Sequence, residues 1–164
     1  MERFMELYSD VYGDLYRLAY YYLGNAEDAR DAVQDTSLAA YEHFHRLKQE
    51  ASFRPWIFRI LVNRCKSCLR KRKRKELPLE EISEMCRPET AELSSQTEVL
   101  ELLSVLKEEE RLIVVLTVFG GYKGQEIARL LKKKHSTIRS KYRRALKKLE
   151  QELNKEPKGK EMRG

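Results

Sequence analysis

Arg139, Ser140, Arg143, Arg144, Lys147 and Lys148 follow one another at steps of one, three and four residues, and no acid stands between Glu126 and Glu150. On a helix this spacing gathers guanidinium, ammonium and hydroxyl groups on one side. The chemistry open to them is the holding of a polyanion, not the making or breaking of bonds. Arginine can bridge a guanine edge with two hydrogen bonds, while lysine and serine mostly hold phosphates. Ser136 and Thr137 open the same segment and add two hydroxyls.

Such a face needs a scaffold behind it. Ile138, Tyr142, Ala145, Leu146, Leu149 and Leu153 supply the opposite, apolar side of the same helix, which is expected over His135 to Leu153. Before it, Gln125 to Leu131 reads as a shorter helix with Ile127, Ala128 and Leu131 turned inward, Ala128 small enough for two helices to cross closely. A short polar turn separates the two. This is the pattern of a helix-turn-helix that presents a basic helix to the DNA major groove. The competing reading is a solvated hairpin whose cations only keep it soluble.

Charge is unevenly placed along the 164 residues, whose net charge is +7. Residues 64–75 carry eight Lys or Arg and no acid, and residues 123–155 carry twelve cations against three acids. Between these blocks, residues 76–110 hold eleven acids and two cations. Two basic patches separated by an acidic stretch imply two contacts on one long polyanion. With 36% charged and 41% hydrophobic residues, and only 7 Gly and 4 Pro, the chain is expected to form small helical units with wide solvated surfaces. No segment reaches the length of a membrane span, the first residues lack a signal-peptide pattern, and three cysteines fit a reducing compartment. These features point to a cytoplasmic protein without membrane insertion.

The remaining elements follow from apolar spacing. Phe4, Leu7, Tyr8, Val11, Leu15, Leu18, Ala19 and Tyr22 predict a helix over residues 3–23, ended by Gly24. Asn25 caps a second helix, with Asp28 three residues on, and Ala29, Ala32, Val33, Ala40, Tyr41, Phe44 and Leu47 form its inner stripe. Another face of that helix carries Asp28, Asp31, Asp35 and Leu38. A third helix begins near Ser52 and Pro55, continues through Trp56, Ile57, Ile60, Leu61, Cys65, Cys68 and Leu69, and ends in six consecutive cations, Arg70 to Lys75. Residues 76–94 read as an acidic linker. Two further helices, around Val99 to Leu106 and Leu112 to Phe119, precede a break at Gly120-Gly121.

Cys65-x-x-Cys68 lies within the third helix and lacks two further ligands, so small buried side chains explain it better than a metal or redox site. His43 and His45 diverge on a helix. No phosphate loop or catalytic constellation occurs, and neither a cofactor, a metal nor an enzymatic activity is expected.

Further motifs carry a specific resemblance. Leu23-Gly24-Asn25 with Glu27-Asp28-Ala29, Asp31-Ala32-Val33-Gln34-Asp35, and Phe53-Arg54-Pro55-Trp56-Ile57-Phe58-Arg59-Ile60 with Asn63 and Leu69-Arg70-Lys71 occur in order. They precede Leu112 to Leu149, with Gly121, Glu126-Ile127-Ala128, Thr137, Ser140, Arg144 and Ala145. Over roughly residues 5–150 the chain resembles bacterial RNA polymerase sigma factors of the extracytoplasmic-function (ECF) class. The resemblance implies an all-α protein of two small helical domains joined by a flexible linker. Residues 1–75 would bind core polymerase and read and melt the −10 promoter element. Residues 76–94 would be the linker, residues 95–154 the helix-turn-helix domain that reads the −35 element, and residues 155–164 a tail.

By the same resemblance, Asp31, Gln34, Asp35 and Leu38 would dock on the clamp helices of the largest polymerase subunit. Acids around an apolar anchor suit a basic coiled coil. Arg59, Asn63, Arg64, Lys66 and Arg70 would meet the −10 strand, with a base-capturing loop near His45 to Ser52 that holds Lys48 and Gln49. Trp56 is read as core rather than a stacking platform. Ser136, Thr137, Arg139, Ser140, Arg143, Arg144 and Lys147 would contact the −35 element. The implied partners are core polymerase, including its flap region, promoter DNA, and an anti-sigma factor that covers these faces until envelope or other stress releases them.

Four positions depart from the family pattern. Ser37 replaces an aromatic residue in the docking helix and Ser67 an Asp. Lys132 takes the elbow position usually held by Gly, and Lys133 an apolar one. Lysine is disfavoured at positive φ, so the turn geometry is open at this point. Two other functions remain: a stand-alone regulator that binds duplex DNA as a dimer, and a basic helical RNA-binding protein. Both leave the acidic face of the second helix without a role.

Overall fold

The computed structural model describes residues 1–74 and 93–155, and all regular structure among them is helical. The linker and tail expected from the sequence fall largely outside the described residues. Helix α1 spans Glu2–Leu23, α2 Ala26–His43 and α3 Phe53–Arg74. Helices α4 (Leu93–Leu103), α5 (Glu108–Val118), α6 (Gly124–Leu131) and α7 (His135–Leu153) follow. None of the described helices is long and apolar enough to cross a membrane.

Local chemistry sets the element ends. Gly24 closes α1 in the left-handed region at φ 87°, and Asn25 then caps α2, its side chain accepting the Asp28 N–H at 2.8 Å. A cap of this kind contributes about 1 kcal/mol. At the starts of α5 and α6, Glu110 and Glu126 reach back to the N–H groups of Lys107 and Lys123, at 3.0 and 2.9 Å. Each satisfies one of the four donors that a helix N-terminus leaves unpaired.

The first three helices pack around Leu15, Leu18, Ala19, Ala29, Val33, Ile57, Phe58, Leu61 and Cys65, all buried. Ala29, Ala32 and Ala40 let α2 approach its neighbours closely. Tyr41, expected in the inner stripe of α2, is instead 46% exposed, because α2 gives way to a 3₁₀ turn at Phe44–Arg46 and its last turn faces out. Phe4, Phe44 and Phe53 meet edge to face with centroids 5.4–6.0 Å apart, fixing both ends of the segment between α2 and α3 to α1.

Helix α5 is apolar around its whole circumference from Leu112 to Leu116, and every one of these residues is buried. A helix of that kind must be covered on all sides. On one side α5 packs against α6 and α7, and on the other against the end of α1. There the Phe119 ring stacks on Tyr21 at 4.6 Å, and the Arg111 guanidinium donates to the Tyr22 carbonyl at 3.0 Å while lying over the Tyr22 ring. Arg54, held by Asp14 at 3.1 Å, donates to the Gly120 carbonyl at 3.1 Å. A side chain at Gly120 would collide with the Leu116 carbonyl and the Tyr122 ring, so this close return needs glycine. The contact explains why Tyr20, Tyr21, Tyr22 and Leu23 are buried together, which helical periodicity within α1 alone does not demand.

Candidate nucleic-acid and protein interfaces

The elbow between α6 and α7 is the first determinant of the cationic face. Lys132 occupies the left-handed region at φ 56°, ψ 46°, the only described non-glycine residue at positive φ. The Lys133 N–H donates to the Ala128 carbonyl at 2.9 Å and the Lys132 N–H to that of Arg129 at 3.4 Å. These paired bonds form a Schellman closure of α6. The turn therefore keeps the geometry that glycine would favour, and lysine bears the strain. Ile127, Ala128 and Leu131 are buried beneath it, facing Ile138 and Ala145 of α7.

On α7 the outward side chains divide into two groups. Lys141 pairs with Glu109 at 2.9 Å and Lys148 with the buried Glu110 at 2.8 Å, so both are turned toward α5. Lys148 thus leaves the outward set expected from spacing. Arg139, Ser140, Arg143, Arg144 and Lys147 are exposed, and no ion pair engages the four cations among the described residues. Ser136 is exposed and Thr137 half-buried at the start of the helix. Arg139, Tyr142, Arg143, Leu146, Lys147 and Glu150 line a shallow open groove along α7. Leu146 and Leu153, expected inside, are 45% and 69% exposed: Leu146 lies in the outer groove beside Arg143 and Lys147, and Leu153 is the last residue of α7.

Helix α3 presents a second set. Arg59, Asn63, Lys66 and Arg70 follow at steps of four, three and four residues and share one stripe, with Lys66 half-buried and the others exposed. Arg64 is exposed but points away from that stripe, at about 100° per residue along the helix. Two of the terminal cations are engaged within the chain: Arg72, packed down, donates to the Leu23 carbonyl at 2.9 Å and pairs with Asp28, and the exposed Lys73 pairs with Glu108 at 2.9 Å. Burial would raise the Asp28 pKa, but hydrogen bonds from Asn25 and Arg72 outweigh it and hold the carboxyl below its ordinary value.

The segment before α3 is pinned as well. Glu50 takes a two-point contact from Arg3, at 2.8 and 2.6 Å, while Lys48 and Gln49 stay exposed between two 3₁₀ turns. Trp56 is half-buried against Phe53, a packing position. Cys65 is buried and Cys68 half-buried, and burial pushes both thiols up, so neither is poised as a thiolate.

On α2, Asp31, Gln34, Asp35 and Leu38 are all exposed on adjoining turns. Neither acid has an ion-pair partner among the described residues, whereas Asp14 and Asp28 nearby are paired. The Ser37 hydroxyl donates to the Gln34 carbonyl at 2.8 Å and lies near the Tyr8 hydroxyl of α1. Spacing within α2 gives no sign of this aromatic neighbour.

Known families account for both halves. Residues 7–75 match sigma-70 region 2, and residues 96–149 match sigma-70 region 4. The chain is 32% identical over 143 residues to the ECF RNA polymerase sigma factor SigM of Mycobacterium tuberculosis, covering 87% of this chain and 72% of that protein. It is 29% identical over 143 residues to the RNA polymerase sigma factor SigV of Bacillus subtilis, covering 87% and 86%. The fold resembles that of RpoE from Bartonella quintana, solved with the anti-sigma factor NepR, with TM-score 0.74 and 21% identity over 96% of this chain and all of that one. It also resembles CnrH, solved with the cytosolic domain of CnrY, with TM-score 0.72 and 24% identity over 94% and 90%. A region 2 match and a region 4 match in one chain leave a stand-alone duplex-binding regulator without support. The chain belongs to the ECF class of the sigma-70 family of RNA polymerase sigma factors.

Proposed function

We propose that this sigma factor, which directs RNA polymerase to promoters and is not itself an enzyme, divides its work between faces of opposite charge. Asp31, Gln34, Asp35 and Leu38 of α2 dock on a basic helical surface of core polymerase. Arg59, Asn63, Lys66 and Arg70, with Arg64 beside them, follow the −10 strand, and the cations of α7 hold the −35 duplex. The observation that carries this reading is the pattern of neutralisation among the described residues: acids of α5 pair with the inner lysines of α7 and leave its outer cations without ion pairs, while the outer acids of α2 have no cation partner. A free acidic face repels DNA and attracts a basic protein surface, and a free cationic face does the reverse.

The solved relatives with anti-sigma factors support a protein inhibitor for this chain too, one that competes for these faces. Run-off transcription with purified core polymerase, on a promoter selected from bound genomic fragments, tests the proposal. Specific transcripts are expected only with the chain present, and failure to bind core polymerase contradicts it.

A further inference from the structure

The large apolar side chains exposed in residues 1–74 are Met1, Met5, Tyr12, Leu38 and Tyr41, all on or beside α1 and α2 and none on α3. Most of them join into one strip. Met5, Tyr8 and Tyr12 share a face of α1 at steps of three and four residues. Tyr12 touches Tyr8 at 5.8 Å, Tyr8 stacks on Phe4 at 5.7 Å, and Phe4 meets Tyr41 edge to face at 5.5 Å. Across the helix boundary, Tyr8 reaches the Ser37 hydroxyl. Ser37 lies one turn from Gln34 on one side and Tyr41 on the other, and Leu38 lies between Asp35 and Tyr41. The aromatic strip of α1 is thus continuous with the acidic face of α2.

We infer that Tyr12, with Tyr8 and Met5 of α1 and Tyr41 of α2, forms the apolar half of the polymerase-docking surface and extends the Leu38 anchor of α2 across the helix boundary. The inference rests on the proposed docking role of α2. The charges beside the strip decide the occupant. Asp31, Asp35 and Glu42 line its far side without ion pairs among the described residues, and Arg30 is the nearest exposed cation on α2. Nucleic acid is excluded by these acids, and the fitting partner is a basic helical protein surface with apolar residues at its centre. Half-exposed tyrosines suit such a centre, because they bury a large ring at little entropic cost and keep a wet hydroxyl.

The test uses the full chain and purified core polymerase, with affinity read by anisotropy of a labelled chain. Tyr12→Ala is expected to weaken core binding about tenfold, as truncation at the centre of an interface does. Tyr12→Phe is expected to retain most of the affinity, and Tyr12→Lys to bind more weakly than Tyr12→Ala. Thermal unfolding and duplex DNA binding should be unchanged in all three. If the wild-type chain fails to bind core, the proposed function falls. If the wild type binds and Asp31→Asn/Asp35→Asn weakens it, while Tyr12→Ala and Tyr12→Lys bind as tightly as wild type, the aromatic strip is overturned and the acidic dock stands. Loss of anti-sigma binding with core affinity intact overturns it equally.

Discussion

Helices α2 and α7 are built alike and left with opposite charge. Each buries a narrow face containing alanine, Ala29, Ala32 and Ala40 in α2 and Ala145 in α7, and turns a broad polar face to water. On α7, α5 contributes Glu109 and Glu110 to pair with Lys141 and Lys148, and the cations beyond their reach have no ion pair among the described residues. On α2, Asp28 at the N-terminus is paired with Arg72, and Asp31 and Asp35 further along have none among the described residues. Counting charges along the sequence therefore overstates what each helix offers a partner. What remains after internal pairing is the charge open to a partner, and its sign differs between the two helices.

The largest effect should come from the cationic side. Arg143→Ala/Arg144→Ala is expected to flatten the salt dependence of promoter-duplex binding by about one unit of slope for each phosphate that is no longer neutralised, and to leave core binding unchanged. An unchanged slope would remove both residues from the DNA backbone. On the acidic side, Asp31→Asn/Asp35→Asn should weaken core binding by about tenfold or more, since coupled charge pairs at interfaces contribute about 1.5 kcal/mol or more each. Duplex binding should not change, and a parallel loss of both would merge the two faces into one.

A smaller effect tests whether the two halves are held together in the free chain. Arg111→Ala removes the guanidinium that binds the Tyr22 carbonyl. It should lower stability by about 2 kcal/mol in denaturant unfolding, the range for a hydrogen bond involving a charged group. No change would mean that the packing of α5 on α1 contributes little. The smallest change concerns the elbow. Lys132→Gly should raise stability by about 0.5–1 kcal/mol by relieving the left-handed lysine, whereas Lys132→Ala should not. A less stable glycine variant would show that the lysine side chain makes a compensating interaction.

These cases separate what spacing reveals from what it hides. The ends of α1 and α7, the Asn25 cap and the inner residues Ile127, Ala128, Leu131, Ile138 and Ala145 were legible, because capping and periodicity are local properties. Tertiary pairing was not. Nothing in the basic run from Arg70 to Lys75 marks Arg72 and Lys73 as ion-paired within the chain, since their partners Asp28 and Glu108 are distant in sequence. Helical period placed Tyr41, Leu146 and Leu153 inside, and all three are exposed, Tyr41 and Leu153 near the ends of their helices and Leu146 in the outer groove of α7. The closeness of Tyr8 to Ser37 was hidden because the two residues lie in different helices. Lys132 was legible as a departure from glycine. That the chain would keep the turn and strain the lysine follows only from the packing of Ile127 and Leu131 against α7.

The proposed function requires that one chain carry both faces at once. A mixing experiment tests this requirement: run-off transcription from a selected promoter with core polymerase and the Asp31→Asn/Asp35→Asn and Arg143→Ala/Arg144→Ala chains, alone and together. Each variant alone should transcribe poorly, and the mixture should do no better than the stronger of the two, because neither chain can bridge polymerase and promoter. Recovery of wild-type transcription on mixing would contradict the requirement.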